Sequence, residues 1–438
     1  MTTTWHNWSG SVSAQPKAIH CPATRDEIVA IVRDARARGA NVRVVGAGHS
    51  FTPLAQTDGV LISLDRYAGL ESVDVAARQA TVRAGTKIKA LGELLFAQGL
   101  AQENLGDIDV QSIAGAISTG THGTGITLGS ISTQVVRLTL VTGAGDLLEC
   151  SEQQHRELFK AAQVSLGALG IITSVTLRLV PTYRLDYTWG REPLGATLEH
   201  LEQERGANRN FEFYWFPYSK WALVKRMNTT GAPARSKNLL RRFNDLALEN
   251  GAFGLLSEIS RRVPSASPRV ARLCGALISG GRDVNHSHKV FATTRLVRFN
   301  EMEYSIPATR MADAIRAIDA CIRRERFRVH FPIECRYVRG DDIYLSPASG
   351  RDSAYIAVHM YQRMSYREYF AAVEAIFRDF GGRPHWGKMH TLTAADLRGL
   401  YPEWPRFQAA RRQLDPDGVF QNAYLKQLLG DLAEERRV

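Results

Sequence analysis

Three short stretches of this 438-residue sequence bring chemically capable side chains close together. The first is Val42-Arg-Val-Val-Gly-Ala-Gly-His-Ser-Phe51, a β-branched run ending in a two-glycine turn with His49 at its tip. Glycines let the backbone turn tightly and approach a ligand, and successive N–H groups can then converge on an anion such as a pyrophosphate. The second is Phe331-Pro-Ile-Glu-Cys-Arg-Tyr-Val338. Side chains alternate along a strand, so Glu334 and Arg336 share one face while Phe331, Ile333, Cys335 and Tyr337 turn toward a core. An acid and a guanidinium in an otherwise apolar strand need a reason, the plainer one being a satisfied surface ion pair on an edge strand. If the next apolar strand, Ile356-Ala-Val-His-Met-Tyr361, pairs with it, His359 can join that face. The third stretch, Arg383-Pro-His-Trp-Gly-Lys388, packs two cations, a histidine and a tryptophan into one turn. A lysine there could stabilise negative charge developing on an electron-rich ring; the plainer account is a surface loop around a buried tryptophan.

The elements that must position these groups can be read from periodicity. Thr24 and Glu27 form a capping-box pattern ahead of an apolar stripe through Ile28, Ile31, Val32 and Ala35, and Gly39 closes that helix. Strands follow at Val42–Val45, Val60–Leu64, Glu71–Asp74 and Gln79–Ala84, then a helix over 87–98. Residues 112–125 are small, glycine-rich and hydroxyl-rich, which suits a second close approach to a ligand or a packed small-residue helix and turn. Residues 131–142 and 170–180 read as strands, with Val180-Pro181 at a domain edge. Clustered strands and helices point to α+β packing over a single doubly wound sheet. Beyond 182 come an aromatic strand at Phe211–Phe216, an Arg- and Lys-rich span with loop signals over 225–290, and an amphipathic helix over 309–324. A polar loop joins the strands His330–Val338 and Tyr355–Tyr361, and the end from Ala394 is helical around an Asp415-Pro-Asp-Gly418 turn.

The length suits two domains. A charge of +11 admits nucleic acid, an anionic membrane surface or an anionic substrate, but no nucleic-acid motif accompanies it, and generally Arg-rich usage accounts for it. The five cysteines are scattered and form no Cys-x-x-Cys pair, which argues against a disulfide framework or zinc site and for a reducing, cytoplasmic setting. No run reaches the length of a membrane span, so an integral membrane segment is not expected, and peripheral contact through a basic patch stays open. No metal site is expected either. At the opening loop a nicotinamide fingerprint needs a third glycine and a following helix. Phe51 stands where that glycine would be, and Pro53 and Asp58-Gly59 interrupt any helix.

With Gly46-Ala-Gly-His-Ser50, Ser112-Ile-Ala-Gly115, Thr121-His-Gly-Thr-Gly125, Glu334-Cys-Arg336 and His385-Trp-Gly-Lys388 in this order, the sequence resembles the sugar-1,4-lactone oxidoreductases. These are the L-gulono-1,4-lactone and D-arabinono-1,4-lactone oxidase or dehydrogenase type, within the vanillyl-alcohol-oxidase class of flavoproteins. The resemblance runs to the ending Asp415-Pro-Asp-Gly-Val-Phe-Gln-Asn-Ala-Tyr424. It implies an α+β, two-domain FAD-binding fold: residues 1–182 with a C-terminal return over about 394–438 hold FAD, and 183–393 form a substrate or cap domain on an antiparallel sheet. It implies that His49 bonds FAD through the 8α-methyl carbon. The loop Val45, Gly46, Ala47, Gly48, His49 and Ser50, and the segment with Ser112, Gly115, Thr119, His122, Gly123 and Thr124, would hold the pyrophosphate, with Ile171 and Ile172 by the adenine.

The chemistry implied is hydride transfer from a carbinol carbon to flavin N5, in which the protein orients the carbon and stabilises charge. By the same resemblance Glu334 and Arg336 bind sugar hydroxyls and assist proton removal. From its strand position His359 is a further catalytic candidate, the plainer account being a satisfied core or rim histidine, and Lys388 is expected to stabilise the reduced flavin or polarise the hydroxyl. Gly106, in Asn104-Leu-Gly-Asp107, would leave a path for oxygen, with another electron acceptor still open. The leading substrate is L-gulono-1,4-lactone, oxidised at C2 toward an ascorbate-type product. An alditol oxidase acting on xylitol or sorbitol is the alternative within this chemistry. A basic nucleotide-binding module without catalysis is the alternative outside it, and such a module has no need of the Glu-x-Arg strand or the cation-rich turn.

Overall fold

The computed structural model describes residues 4–234, 251–291 and 297–432. Within the first part, Ala18–His20, Val60–Ser63 and Val42–Val45 form a three-stranded parallel sheet with Val60–Ser63 in the middle. Beside it, Leu147–Ser151, Val135–Val141, Ile171–Arg178, Gln79–Arg83 and Leu70–Asp74 make a five-stranded antiparallel sheet in that order. The helix Arg25–Ala37 begins where Thr24 accepts a hydrogen bond from Glu27 N–H, a cap worth about 1 kcal/mol. Its stripe of Ile28, Val32 and Ala35 is buried. The Glu27 carboxylate reaches back to Ala23 N–H, one residue before the box position.

The second part is one antiparallel sheet of eight strands: Gly281–His286, Arg184–Pro193, Trp221–Thr230, Asn210–Trp215, Ile333–Val338, Ser353–Tyr361, Phe299–Pro307 and Arg383–Pro384. One face is apolar: Phe211, Phe213, Ile333, Cys335, Ile356, Val358, Met302 and Tyr304 are buried there. The helices Met311–Arg324 and Arg367–Asp379 supply further core through Ile315, Ile318, Phe370, Val373 and Phe377. The loop signals within 225–290 resolve into two helices, Gly251–Arg262 and Ser267–Ala276, with Pro264–Ala266 as a short link; 235–250 lie outside the described residues.

Two expectations change. Ile333–Val338 is an interior strand flanked on both sides, so the surface ion pair of an edge strand does not describe Glu334 and Arg336. The connection 339–352 is not a solvated polar loop, because Ile343, Tyr344, Leu345 and Ala348 are buried and Leu345 O accepts the Trp386 indole N–H at 2.6 Å.

The chain end returns to the first part. Val419 O accepts Val42 N–H at 2.8 Å, and Asn422 donates to Pro53 O and Gln56 O. Arg43, within Val42–Val45, spends its guanidinium on the carbonyls of Leu54, Leu166, Gly167 and Phe420 at 2.6–2.9 Å. Burial lowers its pKa to about 10, and four carbonyl acceptors make the buried cation tolerable. No described helix is long and apolar enough to cross a membrane.

Candidate active site

The glycine loop leaves the parallel sheet at Val45 and rests on the N-terminus of the short helix Ile113–Ser118. A Cβ on Gly46 would stand well inside van der Waals contact of Ser112 Oγ, so a larger residue here requires Ser112 or the loop to shift. Gly48 has φ +68°, a left-handed conformation that costs other residues energy. Among the described residues the N–H groups of Ala47, Gly48 and His49 donate to no backbone carbonyl. They edge an open cleft lined by Val45, Gly46, Ala47, Gly48, His49, Ser50, Ser112, Gly115, Thr119, Ile171 and Ile172. Free N–H groups, a glycine cradle and apolar strand residues suit a dinucleotide.

His122, Gly123 and Thr124, placed with the pyrophosphate by resemblance, do not line this cleft. Thr124 donates to Phe211 O and accepts from Tyr337 N–H, which pins the segment to the large sheet. Gly123 lies against Leu105 O. His122 donates Nδ1–H to Gly123 O at 2.8 Å and faces Glu303 with Nε2 at 3.3 Å. Gly106 lies directly behind this segment, where an added Cβ would stand 3.1 Å from His122 O.

The N-terminal hairpin Trp5–His6 and Ser13–Ala14 closes over the loop, a contact that composition did not signal. Trp8 stacks on His49 with centroids 5.2 Å apart, Trp8 N–H donates to Gly48 O, and the Asn7 amide donates to Ser50 O at 3.0 Å. Burial, then the charges of Lys388 and Lys87, lower the His49 pKa to about 4. Its imidazole is therefore neutral near pH 7 and keeps a nucleophilic lone pair.

The polar face of the large sheet carries the other candidates. Strand register sets Glu212 opposite Arg336, Tyr214 opposite Glu334, and Glu301 opposite His359. Arg336 is paired with Glu334, with Asp107 at 3.0 Å and with Glu212 at 3.4 Å. Burial works against its charge, but Asp107, Tyr214 and Glu212 hold its pKa above the ordinary arginine value. Tyr214 donates its hydroxyl to Glu334 Oε1 at 2.5 Å, and burial raises its pKa to about 12, so it stays a donor. Lys225 closes the far side on Glu212 at 2.9 Å.

The turn 383–388 is not a surface loop. Trp386 is fully buried, Arg383 donates to Leu400 O and Ser349 O, and Gly387 O accepts Phe51 N–H at 2.7 Å. That last bond joins the turn to the His49 loop. Lys388 pairs with Glu301 at 2.5 Å and lies 5.2 Å from the Phe51 ring centroid. Burial works against Glu301, but Lys388 and His359 hold it ionised with its pKa lowered to about 2.

Asp107, Glu212, Tyr214, Glu301 and Glu303 escaped sequence reasoning, though all but Asp107 carried a signal. Phe211-Glu-Phe-Tyr-Trp215 and Glu301-Met-Glu-Tyr304 show the same polar alternation as Glu334-Cys-Arg336. His122, Glu303 and His385, and Glu301, Glu334 and His359, form two buried clusters with metal-ligand donor types. In the first, His385 accepts Gly387 N–H at Nδ1 and so carries its proton on Nε2. In the second, Lys388 and Arg336 already neutralise the carboxylates. Neither donor set suits a cation.

Comparison with protein families matches residues 175–428 to the D-arabinono-1,4-lactone oxidase family and 16–151 to an FAD-binding domain. The chain belongs to the D-arabinono-1,4-lactone oxidase family. It is 43% identical to an L-gulono-1,4-lactone dehydrogenase of Mycobacterium tuberculosis, covering 98% of this chain and 100% of that one. It is 35% identical to the L-gulonolactone oxidase of Bos taurus, covering 97% and 98%, and 31% identical to an alditol oxidase of a Streptomyces species, covering 98% and 100%. A cholesterol oxidase from B. sterolicum has the same fold, with a TM-score of 0.82 at 20% identity over 98% of this chain and 97% of that one. The fold is thus an FAD-binding flavoprotein fold of mixed helices and sheets, antiparallel sheets among them, and the chain carries the FAD-binding domain.

Proposed function

We propose that the protein is an FAD-dependent oxidoreductase that oxidises a sugar 1,4-lactone, with L-gulono-1,4-lactone at C2 as the leading substrate. The observation that carries this reading is the convergence on one buried sheet face of Glu334, Arg336 and Tyr214, with Lys388 reaching that face at Glu301 from a turn bonded to the His49 loop. The named relatives support lactones over alditols, since lactone enzymes match at 43% and 35% and the alditol oxidase at 31%.

The cleft fits FAD: the loop 45–50 and Ser112, Gly115 and Thr119 would hold the pyrophosphate, and Ile171 and Ile172 the adenine end. When bound, FAD supplies the two-electron acceptor. The chain does the rest. Arg336 offers N–H donors to sugar hydroxyls. Glu334, with Oε1 fixed by Tyr214 and Arg336, takes the hydroxyl proton. Lys388 places positive charge where negative charge develops. His49, neutral and stacked on Trp8, is the covalent anchor of FAD. Oxygen is the first acceptor to test, although Gly106 packs against His122 O.

Anaerobic mixing of the purified yellow protein with a panel of L-gulono-1,4-lactone, other 1,4-lactones, xylitol and sorbitol tests the reading. Bleaching by the lactone first is expected. Bleaching only by polyols overturns the substrate, and no bleaching overturns the activity. Acid precipitation tests the anchor: colour stays in the pellet if His49 holds the flavin and leaves with the supernatant if it does not. Readmitting air separates the acceptors, since prompt return of colour with peroxide identifies oxygen.

A further inference from the structure

The polar sheet face carries a row of ionisable groups in which two members, His359 and Glu301, have no part in the reaction as proposed. Arg336 touches Glu334; Glu334 Oε2 lies 4.0 Å from His359 Nε2; His359 Nε2 lies 3.4 Å from Glu301 Oε1; Glu301 Oε2 lies 2.5 Å from Lys388 Nζ. Glu301 is the junction. It comes from Phe299–Pro307, a different strand from those that carry Glu334 and His359, and it is buried. His359 spends Nδ1–H on Pro332 O at 2.9 Å, so Nε2 is the ring nitrogen that faces the two carboxylates.

The same strand grips the lysine turn through its backbone. Glu301 O accepts Met389 N–H and Glu303 O accepts His385 N–H, each at 2.9 Å. Backbone bonds fix the turn but not the flexible four-carbon stem of Lys388, whose ammonium needs a partner to stay in one place. Glu301 is that partner. Glu303, two residues on, faces His122 instead.

We propose that Glu301 is a positioning residue for the oxidation: it holds the Lys388 ammonium beside the His49 loop, at one end of the row that runs past His359 to Glu334. This rests on the functional reading above. The groups facing Glu301 are Lys388 and His385 from the turn, His359 from the neighbouring strand with Glu334 behind it, Glu303 from its own strand, and His49 from the glycine loop.

The test uses the flavin-loaded protein and follows anaerobic bleaching by L-gulono-1,4-lactone against pH. The variants are Glu301→Gln, Glu301→Asp, Lys388→Met and Glu301→Gln with Lys388→Met. Glu374→Gln serves as a control, a buried carboxylate bonded to the Tyr304 hydroxyl and Thr391 N–H, away from this row. Glu301→Gln is expected to slow the limiting bleaching rate about a hundredfold, the scale of misplacing a reacting group by an ångström. It should also shift the pH profile and raise the bound flavin's midpoint potential, because a negative charge near Lys388 has gone. Glu301→Asp should recover part of the rate, and Glu301→Gln should add little to Lys388→Met. Glu374→Gln should lower thermal stability and leave the pH profile unchanged. Wild-type rate and pH profile in Glu301→Gln, or losses that multiply in the double variant, overturn the proposal. If Glu301→Gln does not retain flavin, the same cycle is read with Glu301→Asp. A wild type that no lactone bleaches sinks the functional reading instead, so the two failures are told apart.

Discussion

Arg336 shows how tightly function and folding are bound at a single residue. Three carboxylates, Asp107, Glu212 and Glu334, converge on its guanidinium in a buried site. Truncation to alanine strands them, and breaking a buried pair by removing one partner costs about 3–5 kcal/mol. Loss of activity in Arg336→Ala would therefore mix catalysis with unfolding. Arg336→Lys separates them: it keeps the charge but loses the planar fork that reaches several acceptors at once. The expected outcome is near-normal FAD content with anaerobic bleaching by L-gulono-1,4-lactone slowed about a hundredfold. Equal rates in Arg336→Lys and wild type would remove Arg336 from the reaction. His49 is the opposite case. Its ring is anchored by stacking on Trp8, and no hydrogen bond of the fold depends on it among the described residues. His49→Ala should leave thermal stability within about 1 kcal/mol, as for substitutions away from the core, and release all flavin on acid precipitation.

At the scale of elements, the glycine loop works because Gly46 lets it lie against Ser112. Gly46→Ala forces the Ser112 hydroxyl or the loop to move, and overpacking of this kind costs about 1–3 kcal/mol. The variant should be purified with much less FAD. Gly99→Ala makes the contrast: Gly99 has φ +73° with open space around it, so the cost is backbone strain of about 1–2 kcal/mol, and FAD content should not change. Flavin-to-protein absorbance ratios and thermal melts check both. This loop was legible in the sequence because its chemistry is local: a β-branched strand, two glycines and a histidine within ten residues. The Glu334–Arg336 face was legible for the same reason, through strand alternation. The partners were not. Asp107 meets Arg336 across a large sequence separation, and the Trp8 stack on His49 depends on how a terminal hairpin folds back. Glu301 and Glu303 carried the alternation signal, yet only register against Ser353–Tyr361 tells which groups they meet. Edge or centre is likewise a property of the sheet, which is why the ion pair at 334–336 reads as surface until its neighbours are known.

Across the whole molecule, burial of ionisable groups sets the acid limit of stability. Away from the cofactor cleft, burial lowers His330 and His390 to about 4 and His385 to about 3, so all three stay neutral in the folded chain and gain protons on unfolding. Their contribution is present above the unfolded histidine value of about 6.5 and is lost as pH falls through the folded values. Asp341 and Asp415 act in the other direction. Burial raises both to about 6, so their contribution is full below the unfolded value and is lost as pH rises through 6. Near pH 5 the three histidines release the fold's hold faster than the two aspartates restore it. The balance is about one proton taken up on unfolding, a slope of about 1.4 kcal/mol per pH unit. Glu301 and Glu303, held below the usual carboxylate range by Lys388 and the histidines, add to the loss only once pH falls below about 4.5, where the unfolded glutamates begin to protonate. Urea unfolding between pH 6 and 4.5 reads the slope directly. His330 is the residue to vary, since its ring meets Ser257 and three aromatic rings and lies away from the reacting row. Removing it in His330→Gln takes away nearly one proton and should flatten stability across that range. An unchanged slope would mean that His330 is already protonated in the folded chain, against everything its apolar surroundings imply.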